Sequence, residues 1–88
     1  MVMPEISRFY AIEIRMYPND HNPPHLHAIY GGDEACFAIA PFGVENGWLP
    51  PRASAMVCEW SVKNEAELLQ TWDAVRSGVE PPKIAPLE

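Results

Sequence analysis

The sequence predicts an α+β fold: a small antiparallel sheet of three to four strands packed against two C-terminal helices. Three observations carry this expectation. Ten prolines punctuate the 88-residue chain and separate a half with two-residue alternation from a half with helical spacing. The Gly31-Gly32 pair separates two apolar segments, as a hairpin requires. After Pro50-Pro51 the apolar residues recur at the offsets of one helical face. With 48% hydrophobic and 20% charged residues, the composition is that of one globular domain with a modest core. We expect a β-rich half over about residues 5–49, a helical half over about 50–78 and an extended tail over 79–88.

Each element has a local reason. Ile6 to Tyr17 reads as one long first strand, because Tyr10, Ile12, Ile14 and Met16 alternate with Ala11, Glu13 and Arg15. Pro18-Asn19-Asp20 ends it with turn chemistry. A second strand runs from about His25 to Tyr30, and a third from Glu34 to Ala40 with Ala35, Phe37 and Ile39 on one side. Val44 to Leu49 reads as a short fourth strand, with Trp48 in the core. Pro50-Pro51 opens a helix whose apolar face carries Ala53, Met56, Val57 and Trp60. Asn64 reads as the N-cap of a second helix, with Glu67 completing a capping box. Leu68, Trp72 and Val75 form its apolar stripe, and Gly78 ends it. Pro81, Pro82 and Pro86 keep the tail out of helix, lying extended over the body.

Charge and composition exclude several classes. The formal net charge is −6, and the basic residues Arg8, Arg15, Arg52, Lys63, Arg76 and Lys83 are scattered. A nucleic-acid binder gains affinity from clustered cations, so direct nucleic-acid binding is disfavoured. An acidic chain suits a basic protein partner, or simple solubility. A homo-oligomer stays open. No apolar run approaches the roughly 20 residues needed to cross a bilayer. Met1-Val2-Met3-Pro4-Glu5 lacks the basic and apolar regions of a secretory signal. Cys36 and Cys58 are too few for a disulfide framework. These features point to a cytoplasmic setting. There is no Gly-rich phosphate loop, no G-x-S-x-G elbow and no paired C-x-x-C.

The chemistry concentrates at one corner. All 3 histidines lie in His21-Asn-Pro-Pro-His25-Leu-His27, directly after Asp20. Imidazole is the commonest biological metal ligand and the usual proton shuttle near neutral pH. On a strand, His25 and His27 share a face and can hold one ion together. His21 can fold back across Pro23-Pro24 as a third ligand, and Asp20 can ligate or orient an imidazole. Three nitrogens with an open position is the layout of catalytic zinc sites. We therefore expect His21, His25 and His27 to bind a divalent transition metal, zinc or similar, with Asp20 in support. The same four residues are the candidate catalytic groups, because an ion there can activate water for hydrolysis. Two other readings compete. A histidine beside an aspartate is also a metal-free proton-transfer pair. Histidines near a turn also serve structure alone, by hydrogen-bonding to carbonyl groups.

Other candidates are weaker. Cys36 lies on the face opposite Phe37, where it can approach the histidines, but reads first as a small apolar filler, as does Cys58 on the first helix. Glu34 reads as a solvated edge charge in preference to a distant fourth ligand. Arg8 and Arg15 are the cations nearest the corner in sequence, but Glu13 offers Arg15 a partner. Trp60 and Trp72 read as core.

Several blocks resemble the bacterial family described as domain of unknown function 4160. They are Met3 to Tyr10, Ile14 to Tyr17, Asp20-His21-Asn22-Pro23-Pro24-His25-Leu26-His27 and Tyr30-Gly31. Leu49-Pro50-Pro51-Arg52-Ala53, Glu59-Trp60, Trp72, Ala74 and Ile84 to Leu87 fit its second half. Leu26 departs from the pattern, standing where an aromatic residue is expected, and Ala40 to Gly47 carries no part of the resemblance. The resemblance implies a small soluble bacterial protein, encoded beside a second small protein in an arrangement suggestive of a toxin–antitoxin pair. It supports Asp20, His21, Pro23, Pro24, His25, His27 and Arg52 as positions to test, and implies no reaction. The leading expectation is a metal-binding and hydrolytic module, the toxin-like member of such a pair. The alternative is a non-catalytic, antitoxin-like interaction module in which the histidine loop is structural.

Overall fold

The computed structural model of the protein describes residues 5–88. The reading of Met1 to Pro4 as free of a secretory signal lies outside these residues. The fold is α+β, with five strands followed by two helices. The strands are β1 (Glu5–Phe9), β2 (Ile12–Arg15), β3 (His25–Tyr30), β4 (Asp33–Ala38) and β5 (Gly43–Gly47). They form one antiparallel meander in the order β1-β2-β3-β4-β5. The helices are α1 (Pro51–Lys63) and α2 (Glu65–Arg76).

The sheet has one strand more than the upper expectation, because the long first strand is a hairpin. Tyr10 and Ala11 both take positive φ, 49° and 65°, and the chain reverses so that Phe9 pairs with Ile12. Two consecutive positive-φ residues define the type I′ turn that suits the twist of a hairpin. Such turns ordinarily carry Asn or Gly, so Tyr-Ala gave no signal. The apolar alternation misled for a second reason. Ile12, Ile14 and Met16 are buried as expected, but Tyr10 is 59% exposed at the turn. A bulge between Glu5 and Ser7 also breaks the two-residue rhythm of β1.

The core lies between one face of the sheet and the helices. Ile12 and Ile14 of β2, Leu26 and Ala28 of β3, and Ala35 and Phe37 of β4 form a single buried cluster with Ala53, Val57 and Trp60 of α1 and Leu68, Trp72 and Val75 of α2. Strand alternation therefore sends His25, His27 and Cys36 to the other face. That face is only half-buried, so polar side chains there keep access to water.

Three local expectations are corrected. Trp48 is 60% exposed, because β5 stops at Gly47 and Trp48 lies beyond the sheet. Gly47 sits at φ +80°, and a Cβ there would clash with the Glu34 carbonyl oxygen. Asn64 occupies the N-cap position of α2, but its side chain makes no capping bond there. Its side-chain amide and its backbone N–H both donate to the Trp60 carbonyl, at 2.8 and 3.1 Å, so it closes the C-terminus of α1 instead. Met56 is only partly buried against the core.

The last residues run along the body. The Ile84 N–H donates to the Ile6 carbonyl at 3.0 Å, which covers part of the β1 edge. The Trp60 indole donates to the Ala85 carbonyl at 2.8 Å, and Lys83 pairs with Glu5 at 2.7 Å.

Candidate metal centre

The segment between β2 and β3 folds into a short loop that returns Asp20 to the sheet. The Asp20 N–H donates to the Tyr17 carbonyl at 3.2 Å, which closes the Pro18-Asn19 turn. Farther along, the Pro24 carbonyl accepts from the Ile39 N–H at 3.3 Å and ties the loop to the end of β4. The Asn22 side-chain oxygen accepts from the Trp72 indole at 3.2 Å. The loop is thus held from three sides, and β3 begins at His25.

Asp20, His25 and His27 converge, each offering one donor atom, and these atoms lie within 4.8 Å of one another. Asp20 Oδ2 lies 2.8 Å from His27 Nε2 and 3.2 Å from His25 Nε2. All three side chains are partly buried. Two donors bound at about 2.1 Å to one ion lie about 3.0 Å apart at a right angle and about 3.4 Å apart at the tetrahedral angle. The carboxylate–imidazole separations match that spacing.

The opposite ring nitrogens are engaged as well. His25 Nδ1 faces the Pro23 carbonyl oxygen at 3.0 Å. His27 Nδ1 faces Glu34 Oε2 at 3.1 Å and Cys36 Sγ at 3.2 Å. The Pro23 carbonyl only accepts, so a neutral His25 carries its proton on Nδ1 and aims the Nε2 lone pair at Asp20 Oδ2. The donor and acceptor roles of the His27 nitrogens depend on its tautomer, since they face Asp20 on one side and Glu34 and Cys36 on the other. A cation between His25 Nε2 and Asp20 Oδ2, or a proton on either histidine directed at the carboxylate, stabilises the group.

Aromatic rings enclose the group. The Tyr17 ring meets His27 edge-on at 4.7 Å between centroids, and Trp72 packs against His25 at 5.1 Å. The Arg76 guanidinium lies over the Trp72 ring, 5.6 Å from its centroid. These contacts set ring orientation and lower the local dielectric, which strengthens charge–charge interaction in the site.

His21 is exposed and does not join the group. The carboxylate expected in support takes the third place, because the loop turns His21 outward while closing Asp20 onto β3. Glu34 is exposed, as expected, and its carboxylate also lies within hydrogen-bond distance of His27 Nδ1. Cys36 pairs with His27 across β3 and β4, and is more than an apolar filler. Burial, reinforced by the nearby carboxylates of Glu34, Asp20 and Glu45, pushes its thiol pKa up, so the sulfur stays protonated near neutral pH. Arg15, opposite His27 in the β2–β3 register, forms an ion pair with Glu13, and Arg8 pairs with Glu5 and Glu13. Arg52 lies on α1 and Cys58 in the same helix, neither among the converging donors.

Sequence reasoning passed over Tyr17, Asn22 and Trp72. Asn22 lies inside the histidine block, and its amide was the available signal. Trp72 offered none, because helical spacing marks it as core and says nothing of what its indole N–H reaches.

The family model for a domain of unknown function, DUF4160, matches residues 11–73. The chain belongs to the DUF4160 family. The match includes all three donors of the centre together with Asn22, Glu34, Cys36 and Trp72. No curated protein and no solved structure matches the chain. Among the described residues no helix is long and apolar enough to cross a membrane.

Proposed function

We propose that this DUF4160 protein binds one divalent transition metal ion through Asp20, His25 and His27. One observation carries the reading. Both Nε2 atoms point at the same carboxylate oxygen, at 2.8 and 3.2 Å, while His25 Nδ1 faces the Pro23 carbonyl and His27 Nδ1 faces the Glu34 carboxylate. Acceptors behind metal-ligating imidazoles fix the tautomer and raise ligand basicity. Two imidazoles and a carboxylate suit zinc and ferrous iron alike.

Three protein ligands leave coordination positions for water or substrate. An ion there lowers the pKa of bound water and polarises a bound carbonyl or phosphoryl oxygen. Hydrolysis of an ester or phosphoester is the reaction this layout supports best. The net charge of −6 narrows the substrate to small or weakly charged molecules, because a polyanion is repelled at this surface.

The test is elemental analysis and metal titration of the full chain purified without a polyhistidine tag. We expect one equivalent of zinc or iron per chain, with binding lost in Asp20→Ala and His25→Ala variants whose circular dichroism is unchanged. Metal that stays far below one equivalent, washes away and does not respond to these substitutions overturns the reading.

A further inference from the structure

A second site lies at the far end of β3 from the histidines. We propose that the cleft around Arg52 binds a small organic monocarboxylate with an apolar or aromatic body. The cleft has a volume of about 570 Å³ and is lined by Tyr10, Tyr30, Arg52 and Met56, among others. That is within the range of small-molecule sites. β3 begins at His25 and ends at Tyr30, so the cleft and the metal centre occupy opposite ends of one strand.

The charge pattern identifies the ligand class. Arg8, Arg15, Lys63 and Lys83 are in ion pairs, and Arg76 lies over Trp72. Arg52 is the one Lys or Arg without such a partner among the described residues. A guanidinium presents a planar fork that matches a carboxylate with two parallel hydrogen bonds. α1 also starts here, with no side-chain cap and no acidic residue in its first turn, so its end adds to the positive field of Arg52. Glu59 and Glu88 line the same cleft. One free cation beside two carboxylates favours a singly charged anion over a dianionic phosphate. The exposed rings of Tyr10 and Tyr30, with Met56, provide contact for an apolar or aromatic body.

The turn supports the same reading. Tyr10 holds a left-handed backbone that an L side chain rarely adopts, and this conformation presents its ring at the cleft.

An NMR titration of the full chain with benzoate, benzamide and inorganic phosphate tests the proposal. We expect saturable shifts at Tyr10, Tyr30 and Arg52 with benzoate, about tenfold weaker binding of the neutral benzamide, and phosphate weaker than benzoate. Arg52→Gln should weaken benzoate about tenfold, and Arg52→Lys should retain part of the affinity. His25→Ala should leave benzoate binding intact. Equal affinity for benzoate and benzamide, absence of saturation, or tighter binding of phosphate overturns the assignment. So does a folded Arg52→Gln variant that binds as well as the parent. Loss of benzoate binding in a folded His25→Ala variant would move the anion to the histidine site.

Discussion

The indole of Trp72 donates to the side-chain oxygen of Asn22 at 3.2 Å, across 50 residues of chain. This one bond ties the middle of α2 to the loop that presents Asp20 and His25. It places the orientation of the metal centre under the control of the helical half of the protein, because the same ring packs against His25.

Removing that bond should loosen the centre. Trp72→Phe keeps an aromatic ring and deletes the donor, at a cost of about 1–2 kcal/mol in folding stability. Asn22→Ala should cost about as much, and the double variant less than the sum. Urea denaturation of the four proteins measures the coupling. Metal affinity should fall in each single variant although neither residue touches the ion.

The histidines should prove unequal. Removing one true ligand lowers metal affinity by at least about 100-fold, the upper range for loss of a supporting residue. We expect that loss for His25→Ala, His27→Ala and Asp20→Ala, and no loss for His21→Ala, because His21 faces solvent. Competition titration against a chromophoric chelator separates these outcomes. Glu34→Gln should fall between them, since it weakens only the acceptor behind His27.

The Tyr10-Ala11 turn stores backbone strain that glycine would release. An L residue in the left-handed region costs roughly 1–2 kcal/mol, and glycine returns part of this as unfolded-state entropy. Ala11→Gly should therefore stabilise the protein by about 0.5–1 kcal/mol. A rise in the urea midpoint at unchanged m-value would show it.

Acid should weaken the tail's attachment. Hydrogen bonds from Lys83 and then Arg8 hold the Glu5 carboxyl down at about 2, against an ordinary value of 4.5. A depressed carboxyl pKa contributes stability that is complete above 4.5 and is lost as pH falls toward 2. Glu5→Gln should flatten the acid limb of the stability profile in that window and change little in the slope above it. The pairs are surface-exposed, so the difference should shrink in high salt.

The α+β class, the order of strands before helices and the shared face of His25 and His27 were all legible in the residues. Each rests on local periodicity, which a chain expresses within a few positions. The Gly31-Gly32 hairpin was legible too, because glycine marks the backbone that a turn needs. The hairpin at Tyr10-Ala11 was not, since tertiary packing of Phe9 and Ile12 overrides the poor turn preference of the two residues between them. The membership of the metal centre was equally beyond reach. Four candidate ligands lie in eight consecutive positions from Asp20 to His27, and the chain alone does not say which of them turn inward. That choice depends on where the loop is held, and its anchors come from Ile39, just past β4, and from α2. Short-range pattern thus specifies the elements, whereas the choice of Asp20 over His21 follows from contacts between segments distant in sequence.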